Sequence, residues 1–341
     1  MSKATTAISR EDEGTENIAD IIANTERGSG MTEAKLKLET ETITAERAKG
    51  VLVFTNILDG ISATISKITD RSNIFVIQYP DKHKEVLKTF VLDKGNAKAI
   101  EGARFEFELP RLLHTKTVHV AKPLRIEEQE EQNGILHIEI LLEYGGISLR
   151  SMLKDDIAPY TFLAWIKQSL EAMKAIQELG ICHSDIKPAN MVYGEKNLRI
   201  IDFGCAIKMS SRHFLLSNSP CLVKSGTKCY LPPELHCGGA IESTVCNHGA
   251  IDVYCWGMTF YQLLTKKTCN DLQVECKSYK SGPDKYGEFL EQVSKISIPG
   301  DGGATLQKSL LPILEVALSY DPMDRPTFAA LCNLTKMITI P

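Results

Sequence analysis

From Val51 to Leu142 the apolar residues fall into short runs, "GVLVFTNI", "ISATISKI", "NIFVIQYP", "EVLKTFVL" and "ILHIEILLEY", bounded by turn formers. Runs of this length and β-rich composition predict strands. One segment among them, "NAKAIEGARFEFELPRLL", predicts a helix, which Pro110 disturbs. After "EYGG" the spacing changes. Apolar residues recur at threes and fours in "TFLAWIKQSLEAMKAIQELG", which ends in Gly180 as an amphipathic helix should. Further helices are predicted at "DVYCWGMTFYQLL", "YGEFLEQVSKI" and "LLPILEVALSY". The pattern predicts an α+β chain, a small β-rich lobe followed by a larger helical one, with Glu143 to Gly146 between them. A cleft between two such lobes is a common place for a small-molecule site. Residues 1 to about 45 are rich in Thr, Ser, Glu, Lys and Gly, and are expected to form a flexible tail. The "GSG" at Gly28 to Gly30 reads as linker, since no strand precedes it and no helix follows.

Composition narrows the partners. The 341 residues are 43% hydrophobic, enough for one large core or two joined lobes, and the formal charge is -4. Without an excess of Lys and Arg there is no nonspecific attraction to nucleic acid or anionic membrane, so neither is expected as a partner. The ten cysteines have no CxxC spacing and sit mostly in apolar runs, which suits a reducing compartment. There is no N-terminal apolar h-region and no run of about twenty apolar residues. A cytoplasmic or nuclear monomer is expected.

The chemistry concentrates in "HSDIKPANMVY", His183 to Tyr193, followed by "IDFG". Asp185 and Asn190 stand five apart, and Asp202 lies beyond the next turn. Two carboxylates and an amide oxygen suit divalent magnesium, which takes a few hard oxygen ligands together with phosphate oxygens and waters. Taken singly, each of these residues reads as a solvated turn. Together, "HSDIKPAN" and "IDFG" resemble the catalytic loop and metal motif of eukaryotic protein kinases. Three more motifs follow in family order: "SGTKCYLPPEL", similar to the end of an activation segment; "DVYCWG", similar to the helix that supports the catalytic loop; and "DPMDRPT".

The resemblance implies a two-lobed kinase domain over residues 46–341, with an N-lobe of about 46–142, a hinge at 143–146 and a C-lobe of 147–335. It implies ATP and magnesium as cofactors and protein substrates as partners. Asp185 would be the catalytic base, Lys187 would steady the transferring phosphoryl group, and Asn190 and Asp202 would hold the metal. His183 and Phe203 would pack the loop against the core, and Glu234 would pair with Arg325. Lys187 and Thr227 match the serine/threonine type. Small-molecule kinases of similar fold usually lack the "PPE" segment and the "DFG" phenylalanine.

Two departures stand out. Ser184 occupies the position where many kinases place an arginine, and a serine cannot receive an activation-segment phosphate as a guanidinium does. In the small lobe two registers compete. In the first, Lys88 of "EVLKTF" is the phosphate lysine and Glu108 its helix partner, although Glu106 lies on the same segment. Val86 then lines the adenine pocket, Val76, Glu143, Tyr144 and Val192 complete the nucleotide contacts, and the phosphate hairpin "KITDRSNIFV" holds no glycine. In the second, Gly60 supplies the hairpin and Gln78 stands where the lysine should be. The first is preferred because it keeps both members of the ion pair. The glycine-free hairpin leaves open a second class of function, a kinase-like scaffold with little phosphotransfer.

Overall fold

The computed structural model describes residues 33–38, 41–48, 51–56, 62–67, 73–209, 226–235, 247–279 and 283–340, with the stretches up to residue 67, residues 276–279 and residue 283 described in backbone alone. The chain divides into two compact units. The smaller runs to Arg111 and takes in Lys122–Tyr144; the larger comprises Leu112–Ala121 and Gly145–Pro341. Leu112–Ala121 groups with the helical unit, where Ala121 N–H donates to the Ile200 carbonyl and Ile200 N–H to that of His119.

The smaller unit is built on strands β1 (Glu33–Leu38), β2 (Glu41–Ala48), β3 (Val51–Asn56), β4 (Ser62–Lys67), β5 (Ile74–Gln78), β6 (Lys84–Asp93), β7 (Pro123–Glu130) and β8 (Ile135–Glu143). They form one sheet in the order β1-β2-β3-β4-β5-β6-β8-β7, with every neighbouring pair antiparallel. Strands β1 and β2 lie inside the stretch expected as a flexible tail and correct that expectation from Glu33 onward. Residues 1–32, with the "GSG", lie outside the described residues, as do Gly60 and 68–72 of the glycine-free hairpin.

Period-two alternation sorts the middle of this sheet. Val86, Lys88, Phe90 and Leu92 of β6 stand directly opposite Leu142, Ile140, Ile138 and Leu136 of β8. Helix α1 (Ala97–Leu113) packs Ile100, Ala103 and Phe107 on that face, at the spacing a helix stripe requires. Pro110 does not end the helix, which runs on to Leu113.

The larger unit contains the short strands β9 (Ile147–Ser148), β10 (Ile181–Cys182), β11 (Met191–Gly194), β12 (Asn197–Ile200) and β13 (Ile207–Lys208). Its helices are α2 (Pro159–Glu178), α3 (His248–Thr265), α4 (Cys269–Tyr279), α5 (Pro283–Ser294), α6 (Gly303–Ala317) and α7 (Phe328–Lys336). Helix α3 is buried on all sides from His248 to Leu263, so it forms the centre of the unit. Helix α2 buries Trp165, Ile166, Leu170, Met173 and Ile176, and its Ser169 Oγ accepts from Trp256 Nε1 of α3 at 3.0 Å. It ends at Gly180, whose φ of +67° is cheap only for glycine. Among the described residues, no helix is long and apolar enough to cross a membrane.

Candidate active site

In the smaller unit, Lys88 lies in an otherwise apolar row and is only 17% exposed in its side chain. A lysine so placed needs a counter-charge. Glu106 of α1 supplies it: Lys88 Nζ donates to Glu106 Oε2, and the Glu106 side chain is 12% exposed. This corrects the expected partner. Glu108 sits on the outer side of α1, where its Oε2 accepts from Arg111 Nη2 at 2.7 Å beside exposed Leu112. The two glutamates lie on either side of buried Phe107, and the one on the β6 side takes the lysine.

Val76 and Val86 are direct cross-strand partners, and Val86 faces Leu142 on the next strand, so the three side chains form one apolar row beside Lys88. Leu142 was not singled out in the sequence, although the strand register would have found it. Gln78, the rival of Lys88, is exposed at the end of β5. Glu143 N–H donates to the Lys122 carbonyl at 2.9 Å, and Lys84 Nζ lies 5.3 Å from the centroid of the Tyr144 ring.

In the larger unit the "HSDIKPAN" loop folds around a buried carboxylate. Asp252 of α3 accepts from His183 N–H at 2.6 Å and from Ser184 N–H at 2.9 Å. Burial pushes the Asp252 carboxyl up from its ordinary pKa, opposed by His183 and by those two backbone donors. Ser184 reaches this position with φ +67°, fully buried, and its hydroxyl donates to Cys182 Sγ at 3.3 Å. The His183 ring lies 4.9 Å from the Phe203 ring, and both side chains are buried, in keeping with packing roles.

With its backbone held there, Asp185 carries a carboxylate gripped by four donors. Lys187 Nζ donates to Oδ2 at 2.6 Å and Asn190 Nδ2 at 3.1 Å; Thr227 donates to Oδ1 through its N–H at 3.0 Å and its hydroxyl at 2.9 Å. Lys187 also donates to Thr227 Oγ1 at 2.8 Å, closing the cluster. Thr227 can come this close because Gly226 precedes it. Gly226 has φ +132°, and a Cβ there would lie 2.9 Å from the Ser184 carbonyl oxygen.

Asn190 Nδ2 is engaged by Asp185, including its backbone carbonyl at 2.9 Å, which leaves Oδ1 as the end offered to a cation. Ile201 N–H donates to the Asn190 carbonyl at 3.0 Å, so the antiparallel pairing of β11 with β12 returns the chain to Asn190 one residue before Asp202. Asp202 is exposed, with φ +63°, a conformation aspartate tolerates better than most side chains. An amide oxygen and an exposed carboxylate fit the hard-oxygen preference of magnesium. Val192 of β11 is buried, and a Cβ on Gly145 would meet its Cγ2 at 2.6 Å, so glycine lets the chain pass close to it.

Away from the loop, Arg325 and Glu234 form the expected pair. Nη1 donates to Oε1 at 2.7 Å and Nη2 to Oε2 at 2.8 Å, while the guanidinium also donates to the carbonyls of Ser319, Tyr320 and Ala250. Burial works against the charged guanidinium, but the Glu234 hydrogen bonds and charge outweigh it and raise the pKa.

Comparison with known proteins agrees with this geometry. The family model described as "Protein kinase domain" matches residues 76–335. The dual specificity protein kinase Ttk of Danio rerio is 26% identical over 277 residues, 77% of this chain and 25% of the relative. The dual specificity protein kinase TTK of Mus musculus is 32% identical over 168 residues, 48% and 18% of the two chains. A probable serine/threonine-protein kinase mps1 of Dictyostelium discoideum is 28% identical over 243 residues, 69% and 23%. The chain thus spans about a quarter or less of the length of these relatives. With its β-sheet unit, its helical unit and this match over residues 76–335, the chain belongs to the eukaryotic protein kinase family.

Proposed function

We propose that this chain is an active kinase that moves the γ-phosphate of ATP to serine and threonine hydroxyls of protein substrates. The observation that carries the proposal is the Asp185 carboxylate, gripped by Lys187, Asn190 and Thr227 at 2.6–3.1 Å. A carboxylate in one fixed orientation can accept the hydrogen bond of an incoming hydroxyl and take its proton as the oxygen attacks phosphorus. Lys187, on the same carboxylate, brings a positive charge to the oxygens that gain negative charge. Lys88, held by Glu106, supplies a second positive charge for the phosphates of the nucleotide. Asn190 and Asp202 are the residues that would hold magnesium, whose contribution when bound is to neutralise charge on phosphate oxygens.

The acceptor class rests on the contact between Lys187 and Thr227, the serine/threonine pattern. Two of the relatives carry the words dual specificity in their names, so the acceptor is a real question. It is answered by incubating the chain with Mg-ATP and a mixture of Ser, Thr and Tyr peptides and analysing the phosphoamino acids. Phosphoserine and phosphothreonine without phosphotyrosine is the expected result; phosphotyrosine at a comparable rate would contradict it. The alternative reading, a scaffold with little transfer, is favoured by the absence of glycine from residues 67–76. It predicts little or no phosphopeptide of any kind.

A further inference from the structure

We propose that Phe90 is a positioning residue for Lys88, holding the ammonium by the face of its ring beside the Glu106 carboxylate; the proposal rests on the kinase reading above. Side chains two apart on a strand share a face, so Val86, Lys88 and Phe90 line up along β6. Lys88 Nζ lies 5.5 Å from the centroid of the Phe90 ring, within the ~6 Å over which the negative face of an aromatic ring attracts a cation. The ring is itself held, because Phe90 packs against the cluster of Ile100, Ala103, Phe107 and Ile138. Helix α1 therefore supplies both restraints, the carboxylate of Glu106 and the apolar wall that seats Phe90.

A lysine on a flexible four-carbon stem gains most from such double restraint. The need is unusual in this chain. Residues 67–76 contain no glycine, and side chains keep backbone amides from approaching phosphates closely. More of the hold on the nucleotide then falls on Lys88. An aliphatic residue at position 90 would keep the apolar packing and lose the ring's attraction for the cation.

The test uses the full chain with Phe90→Leu, Phe90→Tyr and Leu92→Val. Leu92 packs against the same cluster and is the control for packing alone. Without nucleotide, the rate at which an amine-reactive ester acylates Lys88 is followed by peptide mass spectrometry. With ATP, the KM for ATP is measured. Removing the ring disfavours the ammonium, so Phe90→Leu should be acylated about five-fold faster and should show a KM about five-fold higher. Phe90→Tyr and Leu92→Val should match wild type in both. Should Phe90→Leu not fold, Phe90→Met takes its place. Unchanged acylation in the aliphatic variant, an equal rise in Phe90→Tyr, or an equal rise in Leu92→Val would each overturn the proposal. Absence of phosphotransfer by the wild type would overturn the kinase reading instead, and the acylation comparison would still report on Phe90.

Discussion

At the residue scale, the large-unit site was readable from sequence because its chemistry is local. Asp185, Lys187 and Asn190 lie within six residues, and the hydrogen bonds that join them cross few loops. The partner of Lys88 was not readable in the same way. Glu106 and Glu108 flank Phe107, and choosing between them requires knowing on which side of the helix stripe β6 runs. Only the packed structure contains that. Lys88→Met should lower turnover on the order of 10²-fold at saturating ATP, while Gln78→Ala, exposed at the end of β5, should leave it unchanged. The reverse pattern would return the small unit to the register with Gly60 in the hairpin. Likewise Glu106→Gln should cut kcat/KM about tenfold or more, since a charge-assisted hydrogen bond contributes ~1.5–3 kcal/mol. Glu108→Gln should not, and equal losses in the two variants would refute the assignment of Glu106.

At the element scale, strong periodicity was legible and weak periodicity was not. Helices α2 and α3 stand where their apolar spacing put them. Strands β1 and β2, "EAKLKL" and "ETITAERA", were hidden because averaging over the first 45 residues buried two short alternations among polar neighbours. Strand β7, "PLRIEEQE", carries four charged residues at a sheet edge, where charge blocks further pairing but erases the hydrophobic signal. The backbone pairing at the other edge has a consequence. Removing residues 1–48 would leave β3, "VLVFTN", as a new apolar edge. The truncated chain should aggregate at concentrations where the full chain is monodisperse by light scattering. Equal behaviour would mean that β1 and β2 give β3 no protection.

At the scale of the whole molecule, the sequence order of the motifs carried the family, since matched motifs of the helical unit extend from the catalytic loop to "DPMDRPT". The division of the chain was less legible. Leu112–Ala121 joins the larger unit through single backbone hydrogen bonds to a strand some eighty residues away, a link no local pattern announces. Arg325 and Glu234, 91 residues apart, show what such links are worth. The Arg325 side chain has no exposure, and its loss removes the hydrogen bonds it gives to Glu234 and to three carbonyls. Arg325→Ala should destabilise the larger unit by ~3–5 kcal/mol in denaturant unfolding. A loss within the scatter of surface substitutions would mean that the pair is dispensable.

The proposed phosphotransfer turns on the Asp185 carboxylate. Its most direct test is the magnesium-dependent transfer of labelled γ-phosphate to a generic basic protein, at saturating ATP, by wild type beside Asp185→Asn. Wild type should transfer, and Asp185→Asn, while still unfolding cooperatively, should be slower by on the order of 10²-fold or more. A wild type that transfers nothing, or an Asp185→Asn variant as fast as wild type, would contradict the account.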